Sequence, residues 1–350
     1  MGCKNCSPRT VGGDEILNRI KSCIRSNEPS HLKDLIALYE FCSGRKSHDF
    51  IDERIIKGKK RCFSLLGYSL WSGSYKCYKR LINNHHASFY LMEKSLEKEG
   101  LDPLSHICEK GYLVMLKIFY PEHCEYEKHK KYAQDSSCVV NSLLSIHSVE
   151  QFFTPIQLAV LNNHLSIVGY FSDYYAEEKP PKNVDLHYVD EYTGENCALV
   201  SCRTGSYAMV MMLYEKYQAD FHLKNKRNES AFQIIAAESK NNCGFSYLEC
   251  LMYVANIIKV DITYMYEETL LLFENRLCIK FVEEKLRDKG ILASKKELET
   301  LFRSKKHLIK PEDLKDFLKN IEEFSRILPC SVESGFQSSS IAFRDEITSP

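Results

Sequence analysis

The stretch FTPIQLAVLNNHLSIVGYFSDYY, Phe153 to Tyr175, limits what the chain can fold into. Thr154-Pro155 reads as a helix start, because proline at the first turn lacks only an N–H that would be unpaired there anyway. Ile156, Leu158, Ala159 and Val160 supply an apolar face. Asn162-Asn163 ends that short helix, since asparagine enters left-handed backbone more easily than most residues. Leu165, Ile167, Val168 and Phe171 begin the apolar face of a second, antiparallel helix. A pair of helices this short cannot bury its own apolar face, so it is stable only when stacked on neighbours of the same kind.

Further copies follow this rhythm. DPLSHICEKGYLVMLKIFY sets Asp102-Pro103-Leu104 at a helix start, Gly111 at the turn and Leu113 to Phe119 on the second helix. SLLGYSLWSGSYKCYKRLI keeps Leu65, Leu66, Gly73 and Leu81-Ile82 without the proline. GENCALVSCRTGSYAMVMMLYEKYQADFHLKNK contributes Gly194, Gly205 and Ala219-Asp220, and runs into NESAFQIIAAES. There Asn228 and Ser230 begin a copy whose turn is expected at Ser239. A shortened copy spans Glu267 to Gly290. EILNRIKSCIRSNEPSHLKDLIALYEF has the helix–turn–helix rhythm without the start signal, as a capping repeat would.

These segments resemble the ankyrin repeat, whose pattern is TPLHxA, a Gly turn and an apolar second helix. The resemblance covers roughly residues 14 to 290 and is strongest between 60 and 240. It implies an all-α solenoid of stacked helix–turn–helix units. The turn residues Gly73, Gly111, Asn163, Gly205 and Ser239 lie further apart than the roughly 33 residues of a standard unit. Insertions are therefore expected, at HCEYEKHKKYAQDSSC and YYAEEKPPKNVD. The resemblance also implies close inner-helix packing at Ser69 and Leu70, Ile107 and Cys108, Ala159 and Val160, Ser201 and Cys202, and Ile235 and Ala236. Cys108 and Cys202 are thus read as packing residues.

The function implied is protein binding on a concave face. The positions before each turn are Trp71 and Ser72, Glu109 and Lys110, Leu161 and Asn162, Arg203 and Thr204, and Ala237 and Glu238. The tips are Tyr192, Thr193 and Glu195, then Lys226, Arg227 and Glu229. Trp71 is the single tryptophan, and exposed Trp and Arg are favoured as hot spots. A packing role between the first two good repeats is the other reading of Trp71, and both stand.

No phosphate loop, kinase signature, nucleophile elbow or zinc-protease helix occurs, so the expectation is a non-enzymatic protein with no catalytic residue, cofactor or small-molecule substrate. Cysteine–histidine chemistry needs no adjacency in sequence, and 15 cysteines with 12 histidines leave it unassigned. Cys3 and Cys6 form one CxxC without a second pair. His123, Cys124 and His129 lie close together without a partner group, so no metal site is expected. With 47 basic and 47 acidic residues the net charge is zero, which argues against nucleic-acid binding. No apolar run approaches the roughly 18–20 residues of a spanning helix, and the N-terminus lacks a secretory core. A cytoplasmic location is expected.

The opening MGCKNCSPRT then carries weight. Gly2 is where a myristoyl amide forms once Met1 is removed, although Cys6 stands where Ser or Thr is usual. Cys3 beside Gly2 resembles the start of dually acylated proteins, with Cys6 a further thioester candidate. One myristoyl chain binds a membrane only marginally, and a second makes the anchor stable. Lys4, Arg9, Arg19, Lys21 and Arg25, against only Asp14 and Glu15, would add on the order of 1 kcal/mol each near an anionic leaflet. A membrane-tethered scaffold is the first reading and a soluble adaptor in a cytosolic or cytoskeletal assembly the second. KGKKR, Lys57 to Arg61, is a loop cluster facing lipid, an acidic partner or only solvent. Residues 1–13 read as a flexible, lipidated leader, 14–290 as the array and 291–328 as a C-terminal helical cap. Residues 329–350 read as a disordered Ser-rich tail.

Overall fold

The computed structural model describes residues 13–53, 55–57, 62–135, 153–239, 245–270, 272–273 and 276–291. Gly2, Cys3 and Cys6, most of KGKKR, the expected cap beyond residue 291 and the Ser-rich tail lie outside them. The chain divides into two compact units, Met1–Cys278 and Ile279–Pro350.

The first unit opens with α1 (Gly13–Arg25) and α2 (Pro29–Ser43), the paired helices expected of a capping repeat, and a one-turn α3 (Ser47–Phe50). Ile16, Ile20 and Ile24 line the buried face of α1. Strands β1 (Ile56–Lys57) and β2 (Cys62–Phe63) follow as a minimal antiparallel ladder, Ile56 opposite Phe63. With two residues to a strand this ladder leaves the all-α class unchanged, and KGKKR starts on its first strand.

Five helix pairs then succeed one another. The first helices are α4 (Leu65–Trp71), α7 (Pro103–Lys110), α9 (Pro155–Leu161), α11 (Cys197–Thr204) and α13 (Ala231–Glu238). The second helices are α5 (Tyr75–His85), α8 (Leu113–Asp135), α10 (Leu165–Tyr174), α12 (Tyr207–Glu215) and α14 (Phe245–Tyr253). Between α5 and α7 lies an extra helix, α6 (Phe89–Lys98), packed on α4. A π-helical turn at Val254–Ile258 and α15 (Tyr266–Leu270) complete the series, with α15 against α13. The first helices form an unbroken stack: α4 on α7, α7 on α9, α9 on α11, α11 on α13. The fold is therefore all-α, an ankyrin-like array of stacked helix–turn–helix units.

Local chemistry explains each start. Ser64, Asp102, Thr154 and Asn196 accept hydrogen bonds from the N–H groups of Gly67, Leu104, Gln157 and Leu199 at 3.0–3.3 Å. Such caps contribute about 1 kcal/mol apiece. Thr154 and Gln157 close a reciprocal box, and Gln233 Oε1 accepts from the Ser230 N–H at 2.6 Å. Gly73, Gly111, Asn163 and Gly205 all take left-handed backbone at the turns. Ser239 does not: its φ is −65°, and its hydroxyl donates to the Ala236 carbonyl, continuing the helical turn. The ten paired packing positions from Ser69 and Leu70 to Ile235 and Ala236 are all buried.

Of the two expected insertions, Tyr174–Asp185 is mostly irregular chain. The described part of the other is not a loop but a continuation of α8, which runs to Asp135 with Pro121 inside it. Tyr126 donates to Glu97, and His123 Nδ1 lies 2.8 Å from Glu93 Oε1, so this extension is bonded to α6. Helix α16 (Arg276–Asp288) crosses the unit boundary. In the second unit Val282 and Leu286 are buried, and Lys280 pairs with Glu284 one turn on.

Candidate partner-binding face

The residues expected before each turn fall into two groups. Lys110 and Asn162 are exposed, while Trp71, Glu109, Leu161, Arg203 and Thr204 are half-buried. The Trp71 ring stacks on the His106 imidazole, with centroids 3.7 Å apart and planes 7° apart, and Phe63 lies at 5.6 Å. Trp71 is thus packed between consecutive first helices while keeping an accessible edge. Lys110 pairs with Glu109 at 2.7 Å. Asn162 and Thr204 bend back onto their own helices, donating to the Leu158 and Ser201 carbonyls.

The tips are hairpins stitched to each other. Asp190 accepts from the N–H groups of Tyr192 and Thr193 and from the Thr193 hydroxyl, which closes the first hairpin. Gly194, at φ +73°, lets the second hairpin approach: a Cβ there would sit 2.8 Å from the Lys226 nitrogen. The Lys226 N–H donates to the Thr193 carbonyl at 2.9 Å. Tyr192, Lys226 and Arg227 are exposed and Thr193 is half-buried.

Glu195 corrects the expectation of an exposed tip. It is 2% exposed and receives Arg203 through both carboxylate oxygens, Nε at 3.1 Å on one and a second, short contact on the other. Asn225 donates to the same carboxylate at 2.9 Å, and Arg203 also reaches Glu238 at 2.7 Å. A buried carboxylate is stable only when paired and hydrogen-bonded, and these donors satisfy it. Hydrogen bonding to Glu195 in turn holds the Arg203 proton more firmly than usual.

One recurring device escapes the repeat pattern. The carbonyl two residues before each of three turn glycines is capped by the next unit. His106 Nε2 donates to Trp71 O at 2.9 Å, His164 Nε2 to Glu109 O at 2.9 Å, and the Tyr247 hydroxyl to Arg203 O at 2.7 Å. Since a carbonyl only accepts, each histidine carries its hydrogen on Nε2. The donors occupy different sequence positions, so only the carbonyl's register reveals them.

His106 gives this device a pH signature. Burial lowers its pKa below the ordinary 6.5, and the Trp71 bond only partly opposes that. The unfolded chain therefore takes the proton first, so this contribution to stability is present above pH 6.5 and lost as pH falls through the folded value. Emission from the single tryptophan is expected to hold steady between about pH 8 and 6.5 and to be quenched below, as the stacked ring becomes imidazolium. His106→Gln is expected to abolish the step; an unchanged titration would remove His106 from it.

The buried cysteines do not resemble nucleophiles. Burial pushes Cys77, Cys250 and Cys278 up to about 12 and Cys108 well above its usual value. Reactive thiols are shifted the other way. Among the described residues no three His, Cys, Asp or Glu side chains gather as metal ligands, and no helix is long and apolar enough to cross a membrane.

No protein-family model and no curated protein sequence matches the chain. Among solved structures it is similar to the crystal structure of the ankyrin repeat domain of Bcl-3, described as a unique member of the IkappaB protein family. The identity is 15%, the TM-score 0.42, and the match covers 75% of this chain and 96% of that one.

Proposed function

We propose that this chain is a non-enzymatic scaffold that binds another protein across the tips and first-helix ends of its array. The observation that carries the reading is the row of stitched hairpins, with Tyr192, Lys226 and Arg227 outward on backbone fixed from behind. Preorganised loops lose little entropy on binding, which suits them to recognition. Trp71, Glu109, Lys110, Leu161, Asn162, Thr193, Arg203 and Thr204 extend the same surface. Arg203 and Trp71 contribute mainly by holding it in shape.

The scaffold is tethered to the cytoplasmic face of a membrane by acyl chains on Gly2 and on Cys3 or Cys6, aided by the basic residues that follow. The motif itself supports this part of the reading, because two chains supply the lasting affinity that one lacks. Intact-mass spectrometry of the protein from its own cells, before and after hydroxylamine, tests the tether. A myristoyl increment that survives and a second that is lost are expected. Gly2→Ala should remove both and release the protein from membrane fractions. An unmodified N-terminus leaves the soluble adaptor.

A further inference from the structure

The second hairpin carries a charge imbalance. Lys224, Lys226 and Arg227 crowd one turn whose backbone is closed by the Asn225 N–H to the Glu229 carbonyl at 3.0 Å. The Asn225 side chain accepts from the N–H groups of Arg227 and Glu229 as well. Lys226 and Arg227 are exposed, and among the described residues neither has a carboxylate within ion-pairing distance. Lys224 lies over the Tyr264 ring, its Nζ 3.1 Å from the centroid, and Asn228 reaches the same tyrosine's hydroxyl.

The carboxylates of this hairpin, of the one at Asp190–Glu195 and of the following turn at Asp261–Tyr264 each have a hydrogen-bond or ion-pair partner. Asp190 and Asp261 accept from the N–H and hydroxyl of their own loops' threonines, Thr193 and Thr263. Glu191 pairs with Lys182, Glu229 accepts from Asn225, and Glu195 is buried under Arg203. Glu195 and Glu191 are thus taken up by cations of their own hairpin region, whereas Lys226 and Arg227 project with no counter-charge beside them among the described residues.

We infer that this tip docks an acidic peptide segment of a partner protein, its carboxylates meeting Lys226 and Arg227 and its body lying against Tyr192 and Tyr264. The inference rests on the scaffold reading above and adds the partner's chemistry. Cations on a rigid loop meet their counter-charge with little ordering cost, and such complementarity sets specificity and encounter rate. The cluster is one compact tip on a chain of zero net charge, not the basic stripe that follows a nucleic-acid backbone.

The test is fluorescence anisotropy on the full chain with a labelled ten-residue glutamate peptide containing one tyrosine. Binding is expected, weakened about tenfold by Lys226→Glu with Arg227→Glu and strongly by salt. Lys226→Ala with Arg227→Ala should weaken it less. The exposed pair Lys98→Glu and Lys128→Glu, on α6 and α8, should leave it unchanged. No peptide binding, or equal binding by the tip reversal, overturns the proposal. So does tighter binding of phosphatidylserine vesicles or single-stranded DNA to the same residues.

Cross-linking to cell proteins separates the two readings. If the reversal variant captures the same partners as the natural chain, the tip assignment falls and the scaffold stands. If neither captures any, both fall.

Discussion

Leu158→Asp is expected to unfold not one unit but the units on both sides of α9. Leu158 is 2% exposed, and α9 packs on α7, α10 and α11. Losing its burial costs about 1.5–3 kcal/mol. An unpaired carboxylate in the same place costs several more, or forces its own protonation. Together these approach the roughly 5–15 kcal/mol that holds a domain folded. In a stacked array the loss spreads, because each unit's apolar face is covered only by its neighbours. Limited proteolysis should find new cuts in α7–α8 and α11–α12 as well as in α9–α10, with a matching loss of far-ultraviolet helix signal. A variant that stays folded and melts as one cooperative unit would count against the stack.

Glu195→Ala is the second large effect expected. It leaves Arg203, whose side chain is only 23% exposed, with Glu238 alone, and strips Asn225 of an acceptor. Breaking one side of a buried pair costs about 3–5 kcal/mol, mostly because the remaining charge stays buried. Urea unfolding should show that loss, and Glu195→Gln should recover part of it by keeping an acceptor oxygen. Replacing both partners, Glu195→Leu with Arg203→Met, should be milder than Glu195→Ala, since the charge left behind, Glu238, is better solvated than Arg203. A Glu195→Ala stability within about 0.5 kcal/mol of the natural chain would demote the network to an ordinary surface pair.

The contrast between these two residues shows what the sequence could disclose. Leu158 follows a threonine–proline start in a repeating apolar pattern, and local signals of that kind specify which face is buried. The caps, the left-handed Gly111 and Asn163, and the small residues between first helices are legible for the same reason. Glu195 is not, because an acidic residue in a loop is ordinarily solvated. Only the fold brings Arg203 back beneath it, with Asn225 arriving from the next unit. Helix α6 and the extension of α8 were missed because neither repeats, and their bonds, Glu93 with His123 and Glu97 with Tyr126, join segments about thirty residues apart. For the candidate site, the tip positions were legible from the repeat register. The charge imbalance of the second tip was not, since it depends on which charged side chains the fold pairs and which it leaves projecting.

The carbonyls of Trp71, Glu109 and Arg203 have a consequence for how the chain is made. Each is satisfied by a ring that belongs to the following unit, so no unit of that series is finished by its own residues. A nascent chain leaving the ribosome presents the helix end before it presents the group that closes it. Each of these three units therefore emerges incompletely bonded and is closed only when its successor follows. A translational pause just after Gly111 would hold an open helix end until His164 arrived.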